Sequence, residues 1–353
     1  MRKLKVVDLF SGCGGLSLGF EMAGFDIIGG IDFDKDSIIT FQKNFKNSIT
    51  FTEDIRKIPD SIIKKTYKDV DVLVGGPPCQ GFSSANMHQK DIKDDKRNLL
   101  FLEFLRFVKI LRPKVILIEN VSGILTKNDS FAKNGIESQL TDLGYEVSQK
   151  VLFASNYGVP QKRKRNFFIG IKKSYKKSFD FNLLPQNKKK VTVEEAISDL
   201  YALEKGINNK LPVLSDYQKL MRKNSNNKIL NHEIRYPNDE VIKRIRYVKE
   251  GGNWQDVPEN LWKTKRNNRH SSAYRRLNSK DVSITIDTGH MNYFHPKFDR
   301  TPTVRESARI QSFPDNFEFT GKTGSQLKQV GNAVPPILAK EIALIIKKYL
   351  EEK

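Results

Sequence analysis

The chain has two cysteines, and one of them, Cys79, stands in a setting suited to covalent chemistry. It lies in Gly75-Gly-Pro-Pro-Cys-Gln-Gly-Phe-Ser83, directly after the apolar-rich run 70–74. Two prolines fix the backbone before the thiol and would hold it rigidly at the end of a buried strand. A lone cysteine is most often a buried apolar filler. A filler needs no Pro-Pro brace and no flanking glycines, whereas a nucleophile needs that placement. A second block, Glu119-Asn-Val121, follows the run 114–118, so its carboxylate is expected at the same strand-end edge as Cys79. A helix-capping or surface glutamate is the competing reading. A third, Pro160-Gln-Lys-Arg-Lys-Arg165, precedes a strand expected over 166–171. Alternation in an extended segment puts Arg163 and Arg165 on one face and the lysines on the other; a solvated basic run is the alternative.

A separate group of residues suits a nucleoside. Phe10-Ser-Gly-Cys-Gly-Gly-Leu16 follows the first expected strand, and its glycines permit a tight turn and a close ligand approach. The dinucleotide fingerprint Gly-x-Gly-x-x-Gly, counted from Gly12, fails at Ser17, which disfavours a pyrophosphate site. The next strand ends at Asp32 and Phe33, a carboxylate suited to ribose hydroxyls and a ring suited to stacking on adenine. Asp54, after a third strand, could accept from an adenine amino group. Each alone is weak, since acids at strand ends are often loop residues; in register with a glycine turn, they favour a nucleoside.

The elements that must position these residues alternate. Strands are expected over 5–10, 26–31, 70–74 and 114–118, and helices over 16–23, 37–45 and 99–111. This order predicts an α/β fold, a doubly wound, mostly parallel sheet with ligands at the carboxyl ends of its strands. From about 174 the periodicity weakens and Asn and Lys accumulate; it returns after 301, and 337–350 is an amphipathic helix. The predicted domains are therefore 1–173, 174–300 and 301–353, the last returning to the first domain.

Net charge separates these regions. The chain carries +20, and residues 161–300 hold 31 basic against 15 acidic side chains, most of that excess. A phosphate-facing domain explains the concentration better than a uniformly lysine-rich surface. The scattered histidines and two cysteines offer no zinc spacing. Neither a signal peptide nor a membrane span is expected, and a reducing cytoplasm suits the low cysteine count.

Two further blocks, Arg305-Glu-Ser-Ala-Arg-Ile-Gln-Ser-Phe-Pro-Asp315 and Gln329-Val-Gly-Asn-Ala-Val-Pro-Pro336, read by themselves only as helix, turn and constrained loop. Taken in order, however, the six blocks resemble the DNA cytosine-5 methyltransferase family across essentially the whole chain. The resemblance implies a Rossmann-like methyltransferase domain and a smaller target-recognition domain, with S-adenosylmethionine as donor, S-adenosylhomocysteine as product and no metal. It makes Cys79 the nucleophile and Glu119 the group acting at ring nitrogen 3 and the exocyclic amine. Arg165 is then the carbonyl-oxygen ligand and Arg163 its supporting neighbour. Phe10, Gly12, Gly14, Asp32, Phe33, Asp54, Pro78 and Asn332 match cofactor-pocket positions. Gly81 to Arg97 resembles the loop that closes over DNA, with Ser83 near a phosphate, and Gln80, Ser83 and Arg97 are DNA-binding candidates. Arg275 and Arg276, with Asn253 and Gln255, are candidate base readers. The expected partner is double-stranded DNA, with a restriction endonuclease acting separately; a nucleoid-associated cytoplasmic monomer is expected. An RNA cytosine methyltransferase, a non-catalytic DNA-binding regulator and a nicotinamide oxidoreductase are the competing readings. The first is separable by assays on DNA and transfer RNA. The presence of Cys79, Glu119 and Arg165 argues against the second, and Ser17 against the third.

Overall fold

The computed structural model describes residues 2–78, 98–121, 129–204, 206, 212–226, 228–262, 274–288 and 293–352. Cys79, Gln80, Ser83 and Arg97 lie outside the described residues. The chain divides into two compact units. Met1–Tyr157, Lys164–Gln186 and Val334–Lys353 form the first, and Gly158–Arg163 with Asn187–Ala333 form the second.

The first unit opens with β1 (Lys5–Leu9), α1 (Gly15–Met22), β2 (Asp26–Asp32), α2 (Lys35–Asn44), β3 (Ile49–Thr52) and α3 (Asp60–Thr66). It continues with β4 (Val72–Gly75), α4 (Asn98–Leu111), β5 (Val115–Val121), α5 (Asp129–Asp142), β6 (Tyr145–Phe153) and β7 (Lys164–Lys172). The seven strands form one sheet in the order β3-β2-β1-β4-β5-β7-β6. β1 to β5 are parallel, and β7 runs antiparallel between β5 and β6. The mixed α/β class expected from the alternation is the one observed. Central strands carry apolar runs because helices cover both faces of a parallel sheet; Val72, Leu73, Val74 and Val115 to Ile118 are all fully buried. α4 adds Phe101, Phe104 and Phe107 to this core.

The second unit contains α6 (Val193–Ile197), α7 (Tyr201–Glu204), α8 (Asp216–Arg222), α9 (Asp239–Ile245), the short parallel pair β8 (Arg275–Arg276) and β9 (Tyr293–Phe294), α10 (Val304–Ile310) and α11 (Thr323–Asn332). The chain then re-enters the first unit as α12 (Pro336–Glu351). α12 lies close against α1 at Gly19, where a Cβ would fall 2.3 Å from Ala339 Cβ.

These ranges differ from the boundaries suggested by composition: residues 174–186 belong to the first unit and 301–333 to the second. The first difference has an aromatic cause. Phe179 packs on Phe181 and on Tyr349 of α12, and Asp180 N donates to Tyr349 Oη at 3.2 Å. The second follows from buried charge. Arg300 grips Glu306 through two bonds of 2.8 and 2.9 Å, and Arg309 grips Asp315 through two of 2.8 and 2.7 Å while also meeting Asp199. Arg305 donates to the carbonyls of Leu230 and Pro314, both at 2.8 Å. The block Arg305 to Asp315 is thus an internal frame of the second unit. Removing one partner from such a buried pair costs about 3–5 kcal/mol.

Candidate active site

In a parallel sheet the carboxyl ends of the strands share one edge, and β7, being antiparallel, brings its amino end there. Arg165 accordingly sits opposite Val121, the last residue of β5. Glu119, expected just past the strand, is inside it, because pairing with β7 extends β5 to Val121. Glu119 Oε1 and Arg165 Nε are 2.7 Å apart, with the two side chains only 12% and 16% exposed. Opposite charges this close attract, so the contact draws the two side chains together.

The segment leading into Cys79 lies against Glu119. A Cβ on Gly76 would stand 3.1 Å from Glu119 Oε2, so the glycine admits the carboxylate. Asn120 Nδ2 donates to Pro77 O at 3.0 Å, and its Oδ1 accepts from Val121 N at 2.9 Å. Pro77 is buried and Pro78 exposed. Asn120 therefore ties the end of β4 to β5. Reading the Glu-Asn-Val block for its carboxylate alone missed this residue; the signal was an amide next to the glutamate at the end of an apolar run.

At the end of β1 the backbone turns through Phe10 and Gly12, both at positive φ (58° and 53°). A Cβ on Gly12 would meet nothing within 4 Å, so the turn faces open space. Gly12 N donates to Asp32 Oδ2 at 2.8 Å, and Asp34 N to Oδ1 at 2.9 Å. Burial raises the Asp32 pKa, opposed by those amides. Phe33 projects beside it, 76% exposed. Gly14 begins α1 at φ 94°, and a Cβ there would strike the Phe45 ring at 2.4 Å. Asp54 caps the short turn Ile55–Lys57 and pairs with Arg56, whose hydrogen bonds bring its pKa down to about 2.

One buried acid in this edge was overlooked. Asp8, in the middle of β1, accepts from Ser17 Oγ at 2.7 Å. Burial pushes its pKa to about 7, with Asp32 and Glu119 adding to the rise and Ser17 opposing it. Its signal was visible as the one carboxylate, set between apolar residues, in the strand Lys-Val-Val-Asp-Leu.

Among the described residues, no group of three or more His, Cys, Asp or Glu side chains could hold a metal, and no helix is long and apolar enough to cross a membrane. The sequence pattern of C-5 cytosine-specific DNA methylases matches residues 4–348. The chain belongs to that family. It is 37% identical to the type II methyltransferase M1.HphI of Haemophilus parahaemolyticus, over 98% of this chain and 87% of that one. It is 38% identical to M.DdeI of Desulfomicrobium norvegicum, over 99% and 89%. A solved prophage-encoded E. coli structure, described as a DNA modification methyltransferase, superposes with a TM-score of 0.78 at 30% identity, covering 99% of this chain and all of that one.

The remaining candidates of this methylase lie in the second unit. Arg163 is buried there and donates from Nη2 to Gly331 O at 2.9 Å, beside Asn332 at the end of α11. Arg276 is committed internally, to Asp299 at 2.7 Å and the Ile245 carbonyl at 2.8 Å. Arg275 beside it is half-buried. Asn253 caps the turn Trp254–Asp256 by accepting from Gln255 N at 2.9 Å, and the Gln255 side chain is exposed.

Proposed function

We propose that this DNA cytosine methylase moves a methyl group from S-adenosylmethionine to carbon 5 of a cytosine flipped out of a specific duplex sequence, through a covalent adduct on Cys79. The observation that carries the reading is the segment that runs into Cys79: its Gly76 abuts Glu119, the partner of Arg165, and its Pro77 is held by Asn120. The turn at Gly12, open to space beside the exposed Phe33 ring and the Asp32 carboxylate, fits an adenosine without phosphates. Asp32 would accept from the ribose and Phe33 would stack on the base; the family resemblance makes Asn332 a further cofactor-binding candidate. When bound, S-adenosylmethionine supplies the methyl group.

Carbon 5 of cytosine is a poor nucleophile. Addition of the Cys79 thiolate to carbon 6 breaks the 5,6 double bond and shifts its electrons into the ring as an enamine, which can attack from carbon 5. Glu119 donates a proton or hydrogen bond at ring nitrogen 3, and Arg165 stabilises charge at the carbonyl oxygen. A base then removes the carbon-5 proton, the electron pair re-forms the double bond, and Cys79 leaves as thiolate. The base must leave the helix for these groups to reach it, at a cost of a few kcal/mol. The basic second unit is assigned to target recognition, and its type II relatives suggest a separate restriction endonuclease as partner, with the methylase acting as a cytoplasmic monomer.

Duplex DNA carrying 5-fluorocytosine at the methylated position tests this. Fluorine cannot leave as a cation, so elimination is blocked and a complex stable to denaturation should form only when the donor is present. Peptide mass spectrometry should place the adduct on Cys79, and Cys79→Ala should bind S-adenosylmethionine yet form no adduct. An adduct on Cys13, or one formed without donor, would refute the mechanism.

A further inference from the structure

A cleft in the second unit has the chemistry of a phosphate seat. Helix α9 is capped by Asn238, whose side chain accepts from Val241 N at 3.0 Å. It buries Ile245 and leaves Lys243 exposed, with Arg246 and Tyr247 exposed in the turn that follows. These three residues and Leu261 line an open cleft of about 300 Å³. Leu261 ends the short turn Glu259–Leu261.

Charge in the cleft is not neutralised. Among the described residues, Lys243 has no carboxylate within ion-pair distance. Arg246 meets Asp299 at 3.2 Å, but the same carboxylate serves the buried Arg276 at 2.7 Å. One negative charge is thus shared by two guanidiniums, and a third cation stands beside them. The Tyr247 ring is 51% exposed and lines the cleft together with Leu261, offering a flat apolar wall. Next to Leu261, Trp262 meets Tyr274 edge-to-face at 5.0 Å, and Arg244 lies over both rings, at 5.1 and 5.7 Å.

Two cations and an aromatic wall suit an anion carried on an apolar ring, as in a sugar–phosphate. The shape selects which part of a duplex can enter. Base edges lie on the floor of a groove and are read by an element that protrudes. A concavity accepts what projects, and on a duplex that is the backbone ridge. Among the described residues, the cleft is lined by two cations, a tyrosine and a leucine, with none of the amide or carboxylate groups that read adenine and cytosine edges. We propose that the cleft of Lys243, Arg246, Tyr247 and Leu261 seats a backbone phosphate of the DNA substrate and supplies affinity without sequence preference. This rests on the DNA-methylating reading above.

The test uses the full chain. Sequencing of plasmid DNA treated with the wild type defines the methylated site, and a 20-base-pair duplex with that site is compared with a scrambled one. Lys243→Gln/Arg246→Gln should lower affinity for both duplexes by the same factor, leaving their ratio within about twofold. The slope of log affinity against log salt should flatten by about 0.9 for each phosphate that the variant no longer neutralises. Tyr247→Ala should weaken both duplexes equally, and Tyr247→Phe should not. A matched control, Lys219→Gln/Lys223→Gln, removes two exposed charges on and just after α8. The proposal is overturned if the cleft variant keeps the wild-type slope, if the control flattens it equally, or if the site-to-scrambled ratio collapses. Failure of the wild type to methylate DNA would instead sink the proposed function.

Discussion

Asn120→Ala probes how firmly the nucleophile's segment must be held. The substitution deletes the 3.0 Å bond from Nδ2 to Pro77 O and the 2.9 Å bond from Val121 N to Oδ1. Asn120 and Pro77 are both buried, so the loss falls in low dielectric and should cost about 1–3 kcal/mol of stability. The catalytic consequence should be larger than this suggests. Pro77 lies two residues before Cys79, and a reacting atom displaced by about 1 Å can lose on the order of 100-fold in rate. Asn120→Asp sharpens the test, because an ionised carboxylate would present a second acceptor to the Pro77 carbonyl. The expected result is a lower urea midpoint for both variants, kcat down about 10- to 100-fold at saturating DNA, and S-adenosylmethionine affinity within about threefold of wild type, since the Gly12–Asp32 contact is untouched. Methyl transfer with labelled donor, under conditions where both proteins are fully folded, reads the rate. An unchanged kcat in Asn120→Asp would refute the idea that this amide sets the position of Cys79.

Asp8 and α1 give two further expectations. The folded pKa of Asp8, about 7 against an ordinary 3.8, means that the native state keeps a proton the unfolded chain releases. Its contribution is therefore fully present below pH 4 and is lost as pH rises through about 7, by up to roughly 4 kcal/mol. Asp8→Asn should gain stability relative to wild type between pH 5 and pH 8 in urea titrations; parallel pH curves would contradict the buried-acid reading. Gly19→Ala would place a Cβ 2.7 Å from the backbone atoms Lys340 N and Pro336 O, which cannot yield as a flexible side chain would. Overpacking should cost about 1–3 kcal/mol, read as a lower urea midpoint, and a wild-type midpoint would deny the close α1–α12 contact.

What the sequence by itself determined about this protein is local and periodic. Strands such as 115–118 were legible because burial on both faces demands an unbroken apolar run. The turn after β1 was legible because positive φ, as at Gly12 and Gly14, favours glycine. The six ordered blocks carried the family. Tertiary structure alone decided the rest. Glu119 meets Arg165 because β7 inserts antiparallel next to β5, and pairing between segments over forty residues apart leaves no local trace. Asn120 became a strut only when β4 ended beside β5. The block from Arg305 to Asp315 reads in sequence only as helix, turn and constrained loop, yet its arginines are buried against Asp315 and backbone carbonyls. Arg276 likewise turned inward to Asp299. Composition records how many charges a segment carries. Which of them face water depends on partners that only folding brings within three ångströms or so, where a buried ion pair can repay its lost hydration.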